Sequence, residues 1–117
     1  MTIKPILPSL KEKKRYLVFE IISKSKIKAF SAVSKAIFAS SLAFAGDFGV
    51  AEMGLQVLPE KFDADKQKGI LRVSADMVDE LKASLALVED IDGESCIIDT
   101  VGVSGILNKA EKNFMAG

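Results

Sequence analysis

The stretch from Tyr16 to Ile22, YLVFEII, constrains the fold more than any other part of the chain. It is short and rich in aromatic and β-branched residues, which predicts a β-strand. Alternate residues of a strand point to opposite faces, and both faces here are apolar. Tyr16, Val18 and Ile22 share one face; Leu17, Phe19 and Ile21 share the other, with Glu20 the exception. Such a strand belongs in the middle of a sheet that is covered on both sides. Lys11, Lys13, Lys14 and Arg15, directly before it, are then pinned at one rim of that sheet.

The rest of the chain supplies the layers. Ile27, Phe30, Val33, Ser34, Ile37, Phe38, Ser41, Phe44 and Ala45 recur at helical spacing, which predicts a helix over 26–45. Lys24, Lys28, Ser31 and Lys35 gather on another face of it, and Gly46 is placed to end it. Ala51, Met53, Leu55 and Val57 alternate as in a half-buried strand. The polar turn KFDADKQKG at 61–69 joins it to a short strand over 70–73. Ser74 is a suitable N-cap for a second helix, with Asp76, Asp79 and Glu80 near its positive end and Val78, Leu81, Leu85 and Val88 at helical spacing. EDIDGE at 89–94 turns into a fourth strand over 95–101, and Ser104 opens a last helix toward Phe114.

This β-α-β-β-α-β order is the split βαβ of ferredoxin-like (RRM-like) α+β domains. It predicts a four-stranded antiparallel sheet with two helices on one face and an added C-terminal helix. The expected organisation is a basic extended N-terminal arm over 1–13, which carries Pro5 and Pro8, and a single domain over 14–117. The 49% apolar and 27% charged content fits one folded globule. The longest apolar stretch, Ala29–Gly46, is interrupted by Lys35, so a membrane span is not expected. The N-terminus lacks the pattern of a signal peptide, and the single cysteine, Cys96, fits a reducing cytoplasm.

The net charge of zero conceals a division. Residues 1–35 carry nine Lys or Arg against Glu12 and Glu20, or +7, whereas 36–117 carry seven against fourteen acidic groups, or −7. A basic first third favours an anionic partner.

Catalytic equipment is sparse. There is no histidine, and Cys96 reads as a small buried hydrophobe. Asp63/Asp65 and Asp90/Asp92/Glu94 offer oxygen ligands but lack the spacing of a calcium loop, and in such turns Asp serves backbone geometry. Sheet-based RNA recognition places aromatics on the central strands, but KGILRV carries Ile70 and Leu71 there. Any RNA is then held by edges and phosphate contacts, and the second apolar face needs a cover, either the C-terminal helix or a partner protein. TVGVSGILNK at 100–109 places two glycines around Ser104 where strand hands over to helix, either a phosphate cradle or a tight turn with a serine cap.

LPSLKEKKRYLVFEI, KGILRV followed by LKASLALV, and TVGVSGILNKAEKNF together resemble the archaeal ribonuclease P protein component 2 family, which is shared with a eukaryotic subunit of that enzyme. The resemblance covers nearly the whole chain. It implies a non-catalytic RNA-binding subunit of an RNA-based endoribonuclease, stabilising the RNA that cleaves the 5′ leader from precursor tRNA. The implied partners are that catalytic RNA, the barrel-shaped protein component 3, and a second copy in a two-plus-two assembly. No cofactor is implied for this chain itself, and Mg2+ is expected with the RNA. By the same resemblance Lys11, Lys13, Lys14, Arg15, Arg72, Gly102, Ser104, Gly105 and Lys109 are candidate RNA contacts. The last helix is often more basic in the family, while here it keeps only Lys109 and Lys112. The alternative from another class is a ferredoxin-like protein–protein adaptor without direct RNA contact.

Overall fold

The structure, a computed structural model, describes residues 13–116. Its strands are β1 (Lys14–Ser23), β2 (Gln56–Val57), β3 (Lys68–Ser74), β4 (Asp90–Ile91) and β5 (Glu94–Ser104). They form one antiparallel sheet in the order β2-β3-β1-β5-β4. The helices are α1 (Phe30–Met53), α2 (Val78–Ala86) and α3 (Leu107–Ala110), the last continuing into a π-helical turn, Glu111–Met115.

The two-faced apolar strand is central, as its pattern demands. Leu17, Phe19 and Ile21 join Leu71, Val73 and Ile98 on a first face, packed against Val33, Ile37 and Met53 of α1 and Leu81 and Leu85 of α2. Each such fully buried side chain contributes roughly 1.5–3 kcal/mol by leaving water. On the second face Val18 and Ile70 are buried beneath Ala110, with Leu107, Phe114 and Met115 around them. The C-terminal segment is thus a cover for that face, but a partial one: Ile22 and Ile97, paired across β1 and β5, remain 52% and 63% exposed.

Five strands form, not four. The expected turn at 89–94 itself contains β4, because Asp92 (φ 53) and Gly93 (φ 85) both adopt the left-handed conformation and fold Asp90–Ile91 back onto Glu94–Ser95. The Asp90 carboxylate accepts the Gly93 N–H, so it serves the turn.

Gly46 does not end the first helix. At φ 75 and ψ 179 it kinks the helix, which resumes to Met53, and Gly54 (φ 55) is the left-handed cap. The strand expected over 51–57 shrinks to Gln56–Val57: Met53 packs into the core from a helix, a burial its alternating neighbours also suited. The helix begins at Phe30, later than expected, with Ile27 before it tied to the hairpin. The Gln67 side chain accepts from Ile27 N–H and donates to Ile27 C=O, at 2.8 and 2.9 Å. By length and composition α1 could cross a membrane, but Val33, Ile37 and Ser41 are buried in the protein core and Gly46 bends it.

Ser74 caps nothing: its hydroxyl makes no cap hydrogen bond, and a 3-10 turn, Ala75–Met77, precedes α2. The last helix starts at Leu107, not Ser104, which still belongs to β5.

Candidate nucleic-acid interface

Antiparallel pairing brings the start of β1 beside the ends of β3 and β5. Tyr16 is opposite both Arg72 and Ser104, Arg15 is opposite Val73, and Lys14 is opposite Ser74. Residues far apart in sequence therefore meet at one rim: Lys13, Lys14, Arg15, Arg72, Ser104 and Gly105. Lys13 is exposed, and its carbonyl accepts the Ala75 N–H at 2.8 Å, which fixes the chain where it enters the sheet.

Each group is locally held. The Arg15 guanidinium donates to the Lys14 carbonyl and passes Gly105, where a Cβ would fall 3.5 Å from Nη1. Arg72 donates from Nη1 to Gln56 Oε1 at 2.8 Å, across the β2–β3 pair. Cations fixed on strands carry a smaller ordering cost on binding than cations on a free loop. Because phosphate recognition is Coulombic, their proximity raises the local potential for an anion.

Ser104 stands at the rim, whereas Gly102 and Lys109 fall elsewhere. The Ser104 hydroxyl accepts from the Ile106 N–H and donates to the Ile106 carbonyl, closing a local turn, and the helix beyond it is a single α-turn. Gly102, paired with Val18, lies under the Phe114 ring: a Cβ there would fall 2.3 Å from a ring carbon. Lys109 is exposed on α3. Lys11 lies outside the described residues.

Sequence reasoning missed Tyr16 and Gln56 as rim residues. Tyr16 read as core, and only the register shows it lying between Arg72 and Ser104; no sequence signal marked Gln56 as the partner of Arg72. Cys96 is buried, and desolvation, followed by Asp90 and Glu94, pushes its thiol up, away from the reactive thiolate. The Asp63 carboxylate accepts the N–H groups of Asp65 and Lys66, a turn geometry. A separate feature is apolar: Phe38, Leu42, Phe44 and Phe48 of α1 are exposed, Phe48 by 89%.

The profile of the Rpp14/Pop5 family matches residues 15–115. The chain is 37% identical over 109 residues to the ribonuclease P protein component 2 of Thermococcus gammatolerans, an alignment covering 93% of this chain and 88% of that one. It is 34% identical over 113 residues to the same-named protein of Pyrococcus furiosus (97% and 92% covered) and 33% identical over 112 residues to that of Methanosarcina barkeri (96% and 79%). Among solved structures, a chain of yeast ribonuclease MRP superposes with a TM-score of 0.60 at 16% identity, over 80% of this chain and 74% of that one, a likeness of fold. The chain is a member of the Rpp14/Pop5 family.

Proposed function

We propose that this chain is a non-catalytic RNA-binding subunit of ribonuclease P, which stabilises the catalytic RNA that removes the 5′ leader from precursor tRNA. The observation that carries this reading is the rim, where Lys14, Arg15 and Arg72 of two strands, with Lys13 directly before the first, are gathered onto one end of the sheet. The names of the relatives supply the enzyme. The fold reading that accompanies it is ferredoxin-like with one extra hairpin strand: without β4 the order β2-β3-β1-β5 remains, with α1 and α2 on one face. The protein works in the cytoplasm, Mg2+ accompanies the RNA, and Ser104 and Gly105 belong to the RNA-facing end.

The exposed apolar residues of α1 favour protein partners in addition: the barrel-shaped component 3, and a second copy in a two-plus-two assembly. They also favour the competing reading, an adaptor that touches proteins alone.

Two measurements separate the readings. Precursor-tRNA cleavage is reconstituted with the RNA and the other subunits, with and without this chain, over a series of Mg2+ concentrations. Adding the chain lowers the Mg2+ needed for cleavage; unchanged activity throughout refutes the proposal. In parallel, a variant carrying Lys13→Gln, Lys14→Gln and Arg15→Gln is titrated with the RNA at several salt concentrations. Its slope of log affinity against log salt drops by about 2 to 3, while folding stability changes by less than about 0.5 kcal/mol. Undiminished RNA affinity and salt slope in that variant favour the adaptor.

A further inference from the structure

The C-terminal segment covers the second face from the Val18 row inward, where Phe114 lies over Gly102. Outside that cover, two cross-strand rows remain at the rim. One runs Gln56–Arg72–Tyr16–Ser104; the other joins Lys14 and Ser74, with Gly54 beside both. These rows are chemically unlike a plain phosphate-binding strip. Tyr16 is half-buried, so its ring is held by the packed segment yet keeps open surface. The Arg72 guanidinium is anchored by Gln56, and its Nε finds no acceptor among the described residues. Ser74 is only 5% exposed, and its hydroxyl also has no hydrogen-bond partner there. The Lys14 ammonium is seated against the bare backbone of Gly54, where a Cβ would fall 3.0 Å from Nζ and 3.6 Å from the Ser74 hydroxyl.

A duplex presents its phosphates and sugars on the outside and needs little beyond cations. A ring, an oriented guanidinium and an amide side by side are the groups that contact an unstacked base. We propose that this uncovered end of the second face takes one unpaired RNA nucleotide, its base against Tyr16 and its phosphate on Arg72 and Lys14. Gln56 acts through Arg72 as a positioning residue. The inference rests on the RNA-binding reading above and adds the class of RNA that this surface selects.

The chain carries its own reporter, because Tyr16 is its sole tyrosine and it has no tryptophan. The full chain is titrated with a short single-stranded RNA and with the same strand annealed to its complement, while tyrosine emission and binding are both recorded. Single-stranded RNA binds more tightly and quenches the emission; the duplex leaves it unchanged. Tyr16→Leu lowers affinity for the single strand about tenfold, and Tyr16→Phe, which keeps the ring, retains it. Gln56→Ala, at an exposed position, weakens single-strand binding and leaves the duplex unaffected. Equal affinity for the two RNAs with undisturbed emission overturns this inference and leaves the RNA-binding reading standing. Binding of neither overturns both. Equal weakening of the two RNAs by Gln56→Ala also overturns it.

Discussion

Both faces of the sheet seat a phenylalanine ring over a glycine, and the two seats differ in who brings the ring. On the first face Phe19 of β1 lies over its cross-strand partner Gly69, where a Cβ would fall 2.6 Å from the ring. Phe62 stacks on it with ring centroids 6.5 Å apart, and Phe30 packs on Phe62 at 5.2 Å. On the second face the ring over Gly102 is Phe114, delivered by a terminal segment of one α-turn and one π-turn. That segment is fastened by Lys68 and Lys66, which donate to the carbonyls of Phe114 and Met115, and by an ion pair between Lys61 and Glu111. The hydrogen bond and ion pair raise the Lys61 ammonium above its ordinary range, but the pair is solvated and adds little. A ring built into the sheet is part of the fold's nucleus of packing. A ring added from the terminus closes a surface that the sheet has already formed.

The comparison can be broken from either side. Gly69→Ala forces its methyl into a Phe19 ring that is wholly buried, so nothing can yield cheaply. We expect a loss of about 2–3 kcal/mol in urea unfolding, with the whole domain losing stability together. Gly102→Ala meets a ring that is only half-buried, and the segment can lift. The expected cost is about 1–2 kcal/mol, with faster amide exchange confined to residues 107–115. Combining it with Phe114→Ala should cost less than the sum of the two single changes, because both remove one contact. If Gly102→Ala instead speeds exchange throughout the sheet, the second face is as integral as the first.

The smallest effect concerns Cys96, on the first face near the acidic hairpin. Its thiol is raised in the folded state, so the folded protein holds that proton more tightly than the unfolded chain does. Stability from this source is complete below the ordinary thiol range of about 8.5 and is lost as pH rises through and beyond it. Thermal unfolding of the wild type and Cys96→Ala between neutral and alkaline pH should show a steeper decline for the wild type. Parallel declines would mean that neither burial nor the neighbouring carboxylates raise the thiol in the folded state.

Much of the fold was legible because local rules acted alone. YLVFEII required a central strand, KGILRV an adjacent one, and Val78, Leu81 and Leu85 a helix on the first face; each side chain's burial follows from its own period. The boundaries failed where a second option was nearly as good. Gly46 suits a cap or a kink; it kinks the helix, which runs on to Met53, buried in the core. EDIDGE suits a loose turn or a tight hairpin, and the positive φ of Asp92 selected the hairpin that carries β4.

What the sequence determined by itself was an antiparallel scaffold with cations set against its central strand, because hydrophobic period and charge position are properties of consecutive residues. Only the tertiary structure decided which residues stand beside those cations. Arg72, Gln56, Tyr16 and Ser104 form one row because antiparallel register aligns them across four strands, and register depends on pairings between segments dozens of residues apart. The same holds for Gly102, which sequence left as part of either a phosphate cradle or a tight turn and which packing sets beneath Phe114. Its missing side chain makes room for a ring, and no neighbour in the chain could have announced which one.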